Sequence, residues 1–297
     1  MTVKWQVTAE DEKNLKEFLK QKGVSRRIIG RTKFHGGTFL VNGQEERVRK
    51  ELKVGDWVEL NLPIEEPNPN LITTHKPLDI LYEDDHYLII NKPVGLISVP
   101  SPAHRGDTVA SRVKGYYLEQ DYRHKVVHIV TRLDRYTSGV MLIAKNTLAH
   151  SLMGNLLSHQ KLEKHYEALV QGHLRQKEGL IDAPIARSPE SIIERMVAPE
   201  GKPSITQYEM IKYLEKDISH VRLSLHTGRT HQIRVHMSHI GHPLVGDDLY
   251  GGSKKLLDRQ ALHCSSYRFE HPLTGQFVEV QASLPEDMQK LVEEQAK

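Results

Sequence analysis

A single cysteine, Cys264, stands in a chain of 297 residues. One thiol excludes an internal disulfide and suits a reducing compartment, so Cys264 is expected as a small packed core residue and the protein in the cytoplasm. No stretch of 18 or more residues is uniformly apolar, so no membrane-spanning helix is expected. No apolar run follows a basic start, so no leader peptide is expected either. The chain has no glycine-rich phosphate loop and no internal repeat, which argues against a bound nucleotide and a solenoid. Metal ligands are equally short. His231 and His236 are five apart and do not share a helical face. His236 and His239 could share one, but no acid stands between them and there is no Cys pair. Packed or phosphate-facing histidines are expected instead, and no cofactor.

A strong excess of one charge is missing too, since the net charge is only +3. Its distribution says more than its sum. Between Lys22 and Lys53 nine Lys and Arg face three acids, a local net of +6 that acids elsewhere conceal. Residues 8–23 read as a helix, with Thr8 as its cap and Leu15, Phe18 and Leu19 on one face. Ser25 can cap a second helix carrying Arg26, Arg27, Arg31 and Lys33. Thr38 to Val41 reads as a strand, Asn42-Gly43 as a tight turn, and Trp57 to Leu60 as another strand. Pro63 to Pro77 holds four prolines and reads as an extended linker. The chain thus divides into a unit over 1–62, a linker over 63–77 and a larger unit over 78–297.

In the larger unit, Ile80 to Tyr82 and Tyr87 to Ile90 read as a hairpin, Thr108 to Leu118 and Thr147 to Gln160 as helices, and Lys164 to Gly172 as a strand. Two apolar runs, Val126 to Val130 and Val140 to Ala144, read as strands flanking Thr131-Arg132-Leu133-Asp134-Arg135-Tyr136-Thr137-Ser138-Gly139. A carboxylate set between Arg132 and Arg135 is favoured in its ionised form and could act as nucleophile, base or ligand. Taken alone, Asp134 could equally cap a turn. Further on, Leu225-His226-Thr227-Gly228-Arg229-Thr230-His231-Gln232-Ile233-Arg234 runs from a strand through a turn into a helix over about 233–240. Val278, Val280 and Ala282 alternate as a half-buried strand, and Ser283-x-x-Glu286 predicts a capping box for a last helix.

Arg132-Leu133-Asp134-x-x-Thr137-Ser138-Gly139 resembles the catalytic motif of the RluA-type pseudouridine synthases, which isomerise uridine to pseudouridine within RNA. Three further segments resemble that family: Leu81 to Gly95 with Asn91-Lys92-Pro93; Lys164-x-Tyr166-x-Ala168-x-Val170-x-Gly172; and Leu223 to His236 with its continuation to Gly251. Residues 12–60 resemble the S4 RNA-binding domain. The resemblance implies an α+β fold, a largely antiparallel catalytic sheet preceded by a small S4-like RNA-binding domain. It implies Asp134 as the essential carboxylate, Tyr166 stacking on the target base, Arg234 pairing with the carboxylate and Arg132 filling the gap left by the flipped base. Arg229 and Ile233 are assigned to substrate binding, and Arg26, Arg27, Arg31 and Lys33 to RNA phosphates. Ribosomal RNA of the large subunit is the expected partner, with tRNA as the alternative, for a monomer that needs no cofactor. The family's usual His before the Arg is replaced by Thr131, which is therefore no proton carrier. A non-catalytic RNA-binding factor and a metal-dependent RNA hydrolase stay open as other classes.

Overall fold

The structure is a computed structural model that describes residues 2–295. Its first unit comprises β1 Thr2–Gln6, α1 Leu15–Gln21, α2 Arg26–Phe34, β2 Thr38–Val41, β3 Gln44–Glu45 and β4 Trp57–Asn61. The strands form an antiparallel sheet in the order β1-β4-β2-β3. Asn42 and Gly43 both take positive φ, as a two-residue hairpin turn requires. Ser25 caps α2 by accepting from the Ile28 amide at 3.3 Å. The first helix differs from expectation. Asn14, not Thr8, is its cap, accepting from Lys16 N at 3.1 Å. Thr8 instead donates its amide and hydroxyl to Asp11, which closes a turn ahead of the helix.

Residues 63–77 contain no helix or strand, but they are not a loose tether. Glu65 is 3% exposed and receives Arg31 Nη1 at 3.3 Å, His128 Nε2 at 3.0 Å and Thr147 N at 2.9 Å. Thr74 bonds Ser111, and its backbone lies where a side chain at Gly115 would sit. A buried carboxylate attracts every available donor because an unpaired one would be costly. That demand ties the segment to both units.

The larger unit begins with β5 Ile80–Glu83 and β6 Tyr87–Lys92, then α3 Val109–Glu119, β7 His128–Ile129, β8 Ser138–Ala144, α4 Thr147–Ser158 and β9 Glu163–Gln171. It continues through β10 Glu178–Asp182, β11 Ile185–Arg187, β12 Arg195–Val197, β13 Ile205–Leu214, β14 Ile218–Leu225 and α5 Gln232–His239. It ends with β15 Leu262–Glu270, β16 Phe277–Gln281 and α6 Glu286–Glu294. The main sheet has the path β10-β13-β14-β9-β15-β8-β6-β5, with β16 on β15 and β7 on β8. Its one parallel pairing joins β15 to β8, and the rest is antiparallel. The fold is thus mixed and largely antiparallel, as expected.

α3 is capped by Thr108 and Ser111 reciprocally. α3, α4 and α5 join the main core through Val113, Tyr117, Met153 and Met237. α6 forms a separate cluster, Met288 and Leu291 with Leu169 and Ile218. The predicted capping box at Ser283 does not form. Pro285 takes the cap position with extended dihedrals, and the helix starts at Glu286 without a side-chain cap. Val126–Val130 pairs only over His128–Ile129. Leu148 and Leu152 of α4 leave the main core and join Phe18, Ile28 and Leu60 of the first unit. Cys264 is fully buried, and burial pushes its thiol up to about 12, so it is a packed residue as expected.

Candidate active site

Three strand ends converge where β9, β15 and β8 meet. The loop before β8 carries Asp134, β9 carries Tyr166, and the loop after β14 leads through His231 into α5 and Arg234.

The Asp134 loop is pinned on both flanks. Ser98 Oγ donates to Leu133 O at 2.6 Å and accepts from Leu133 N at 3.1 Å. Gly95 N donates to Arg135 O at 2.9 Å. Lys92, fully buried, donates to Pro93 O and Leu96 O at 2.9 Å and to Arg135 O at 3.2 Å. Burial pushes its ammonium down to about 7, while Asp134 pulls the other way. The Asn91–Gly95 segment therefore brackets the loop through Lys92 and Gly95, while Pro93 and Val94 face solvent. On the other flank, Gly139 sits at φ 109° against the Cys264 backbone, where any Cβ would collide. That explains the glycine closing the motif: the parallel join to β15 needs the space. Thr131 spends its hydroxyl on the Leu142 amide at 2.9 Å and so anchors the loop to β8.

The Thr227–Arg229 turn is fixed by Gln232. Its carbonyl accepts from Thr227 Oγ1 at 2.8 Å and Arg229 N at 3.0 Å, while its amide donates to Ile205 O and Thr206 Oγ1. His236 turns away from the cavity to Thr206 and Ala183, both at 2.9 Å, as a packed histidine.

Asp134, with 29% of its side chain exposed, takes one hydrogen bond from Arg234 Nη1 at 3.2 Å. The bidentate pair lies elsewhere. Arg234 forks onto Asp247, Nε to Oδ2 at 2.7 Å and Nη2 to Oδ1 at 2.8 Å. Both partners are buried, Asp247 completely. The fork goes to the buried carboxylate because that group has no water to replace it. Burial works against the Arg234 charge, but Asp247 and then Asp134 more than offset this and raise its pKa. Tyr250 stacks on the guanidinium at 4.9 Å and bonds His231 Nδ1 at 2.8 Å. The other nitrogen of His231 stands 3.7 Å from Asp134. Burial lowers the pKa of this histidine, against the pull of Asp134.

These groups open on a cavity of about 830 Å³ lined by Asp134, Tyr166, Tyr267, Arg132, Lys164 and Arg229, among others. A small inner recess between Asp134 and Tyr166 adds Ile233 and Arg234. Arg132 is exposed and forms no ion pair or hydrogen bond among the described residues. Tyr166 is 7% exposed, and burial holds its phenol protonated. Lys164, two residues before Tyr166, also lines the cavity, with its pKa lowered by burial. The structure thus brings Asp134, Tyr166, Arg234, Arg132, Arg229 and Ile233 together. The cations on α2 belong to the other unit, where Arg26, Arg27 and Lys33 are exposed and Arg31 is turned onto Glu65.

A family profile described as RNA pseudouridylate synthase matches residues 86–239, which include Arg132, Asp134, Tyr166, Arg229, Ile233 and Arg234. The chain belongs to the RNA pseudouridylate synthases. It is 44% identical over 94% of its length, and 98% of the relative's, to an uncharacterized RNA pseudouridine synthase, YjbO, of Bacillus subtilis. It is 37% identical to ribosomal large subunit pseudouridine synthase D of Escherichia coli K12, covering 86% of this chain and 81% of the relative. The structure matches human RNA Pseudouridylate Synthase Domain Containing 1 at a TM-score of 0.57 and 26% identity, over 78% of this chain and 98% of that one. As a pseudouridine synthase, the enzyme is an isomerase acting on RNA.

Proposed function

We propose that this synthase isomerises uridines of large-subunit ribosomal RNA in the cytoplasm, with Asp134 as the essential carboxylate. The observation that carries the assignment is the chain Asp247–Arg234–Asp134. A fully buried carboxylate fixes a buried guanidinium, which in turn aims the one partly exposed acid into the cavity beside Tyr166. The similarity to synthase D points to the ribosomal target.

The reaction breaks C1′–N1, forms C1′–C5, loses a proton at C5 and gains one at N1. Substrate and product share one formula, so no oxidant or co-reactant is consumed. Attack on C1′, attack on the ring and removal of a sugar proton all require a carboxylate held at one angle, which Arg234 supplies. Stacking on Tyr166, worth about 1–3 kcal/mol, offsets a flipping cost of a few kcal/mol. Arg132 is unpartnered at the rim and free to fill the space the base leaves. Arg26, Arg27 and Lys33 on α2 are proposed to hold RNA phosphates, while Arg31 holds the linker.

Pseudouridine mapping of total RNA from cells lacking the protein, complemented with wild type or Asp134→Asn, tests the reading. Wild type should restore sites in large-subunit ribosomal RNA, and Asp134→Asn none, although its RNA affinity stays within a few-fold. Restored sites confined to tRNA would overturn the target, and turnover by Asp134→Asn within tenfold of wild type would overturn the carboxylate.

A further inference from the structure

A second cationic cleft adjoins the catalytic cavity, beneath the ribbon formed by β11 and β12. Arg187 and Arg195 stand directly opposite each other in that ribbon. Like charges at such a position destabilise the pair, and a two-stranded ribbon is marginal by itself. No acid relieves them. Among the described residues neither forms an ion pair, and their guanidiniums reach only the backbone of the ribbon's tip: Arg187 to Ile192 O at 2.9 Å, and Arg195 to Ile193 O at 3.0 Å and Glu194 O at 2.8 Å. Below them lie Lys202, whose exposed ammonium has no partner among the described residues, and Arg229, whose exposed guanidinium bonds only Pro203 O among them. The cleft measures about 480 Å³, and Glu200 is the one acid in its lining against these four cations.

Two further features tie this cleft to catalysis. Arg195 and Arg229, with Gly228 and Thr230, line both clefts, so one runs into the other. The ribbon is also fixed relative to Asp134. Arg195 N donates to Tyr250 Oη at 3.0 Å, and the same hydroxyl bonds His231 beside the carboxylate. At its base, Ile185 and Lys202 exchange backbone hydrogen bonds, and Gly201 lies so close to Ile185 that no side chain fits between them.

We propose that this cleft holds the sugar–phosphate backbone of the RNA strand next to the target uridine, with phosphates between Arg187, Arg195 and Lys202. Charge favours a polyanion. The opening into the cavity favours the one whose neighbouring nucleotide is being isomerised. An anion seated there would also relieve the opposed arginines, whose placement otherwise only costs stability. The inference rests on the reading of Asp134 as the reacting carboxylate.

The test uses Arg187→Gln and Lys202→Gln, singly and together. Both residues are exposed and lie outside the catalytic machinery. The RNA is a large-subunit ribosomal fragment that wild type modifies, prepared both unmodified and with neutral methylphosphonate linkages beside the target uridine. Affinity is measured against salt, and rate in single turnover at saturating RNA. Every phosphate released from a cation should lower the log–log salt slope by about 0.7–0.9. The double variant should therefore lose roughly twice that on unmodified RNA, with its saturated rate within twofold of wild type. Wild type should lose a similar slope on the methylphosphonate RNA, where the double variant loses little more. An unchanged slope in the double variant, alongside normal wild-type turnover, would overturn the cleft but leave the isomerase intact, and would assign the cleft to another acidic partner. Additive losses from protein and RNA changes would overturn it too, by placing these cations on distant phosphates. If turnover of this RNA survives in Asp134→Asn, the catalytic reading fails instead.

Discussion

Arg234 serves two carboxylates with one guanidinium, and this decides what its neighbours do. Two N–H groups of its planar fork go to Asp247, and only one of the other three reaches Asp134. An ammonium has no such fork. Arg234→Lys should therefore satisfy Asp247 and lose its aim on Asp134, with a single-turnover rate at least tenfold below wild type at unchanged RNA affinity. Asp247→Asn leaves a buried guanidinium short of charge. Breaking a buried pair in this way costs about 3–5 kcal/mol, so the variant should denature at lower urea and also turn over slowly. A variant with full stability and full rate would remove Asp247 from the site. At this scale the sequence was partly legible. Asp134, Tyr166 and Arg234 could be matched to motifs because each lies within a short contiguous pattern. The partners Asp247 and Gln232 lie in the same patterns, but what anchors them is 13 or more residues away, Arg234 for the one and, beyond its own turn, Ile205 and Thr206 for the other. Only folding brings those together.

Among the elements, the join of β8 to β15 is the narrowest point. Gly139→Ala would put a methyl into the Cys264 backbone at a φ that side chains rarely adopt. Backbone strain of about 1–3 kcal/mol and overpacking of about 1–3 kcal/mol should lower the melting temperature and displace the Asp134 loop. Thermal unfolding and single-turnover rates would both fall, and an unshifted melt would mean that β15 yields. Elements with strong local signals were legible: the Asn42-Gly43 hairpin, the Ser25 cap and the helix beginning at Thr147. Those that failed had a competing local signal. Thr8 finds Asp11 before it can cap a helix, and Pro285 displaces Ser283 from the cap. The β11–β12 ribbon gave no sign at all, because its strands are three residues each and carry arginines where a periodic apolar face would have revealed them.

For the molecule as a whole, the buried Glu65 is the joint. Burial alone would raise its pKa, but His128, the Thr147 amide and Arg31 lower it below the ordinary value near 4.5. A carboxyl depressed in the folded state adds stability above its unfolded pKa and loses it as pH falls through the folded one. Both tryptophans, Trp5 and Trp57, lie in the first unit, so their fluorescence reports on that unit. On acidification below about pH 4.5, wild type should show a tryptophan transition that Glu65→Gln makes shallower, and coincident curves would exclude the joint. Cutting away residues 1–62 would strip Leu148 and Leu152 of their cover and leave Glu65 without Arg31, so point changes are the cleaner probe of the basic helix. The same joint has a consequence for substrate choice. With α2 bolted to α4 and β7 through one carboxylate, the stretch from the Arg26–Arg27 surface to Asp134 has a set length. On the proposal that Arg26 and Arg27 grip RNA, that length acts as a ruler, and a uridine is selected by how far along the RNA it lies from the grip. Inserting two base pairs between the gripped stem and the target should abolish modification while binding persists, and a target that is still modified after the insertion would show that the ruler bends.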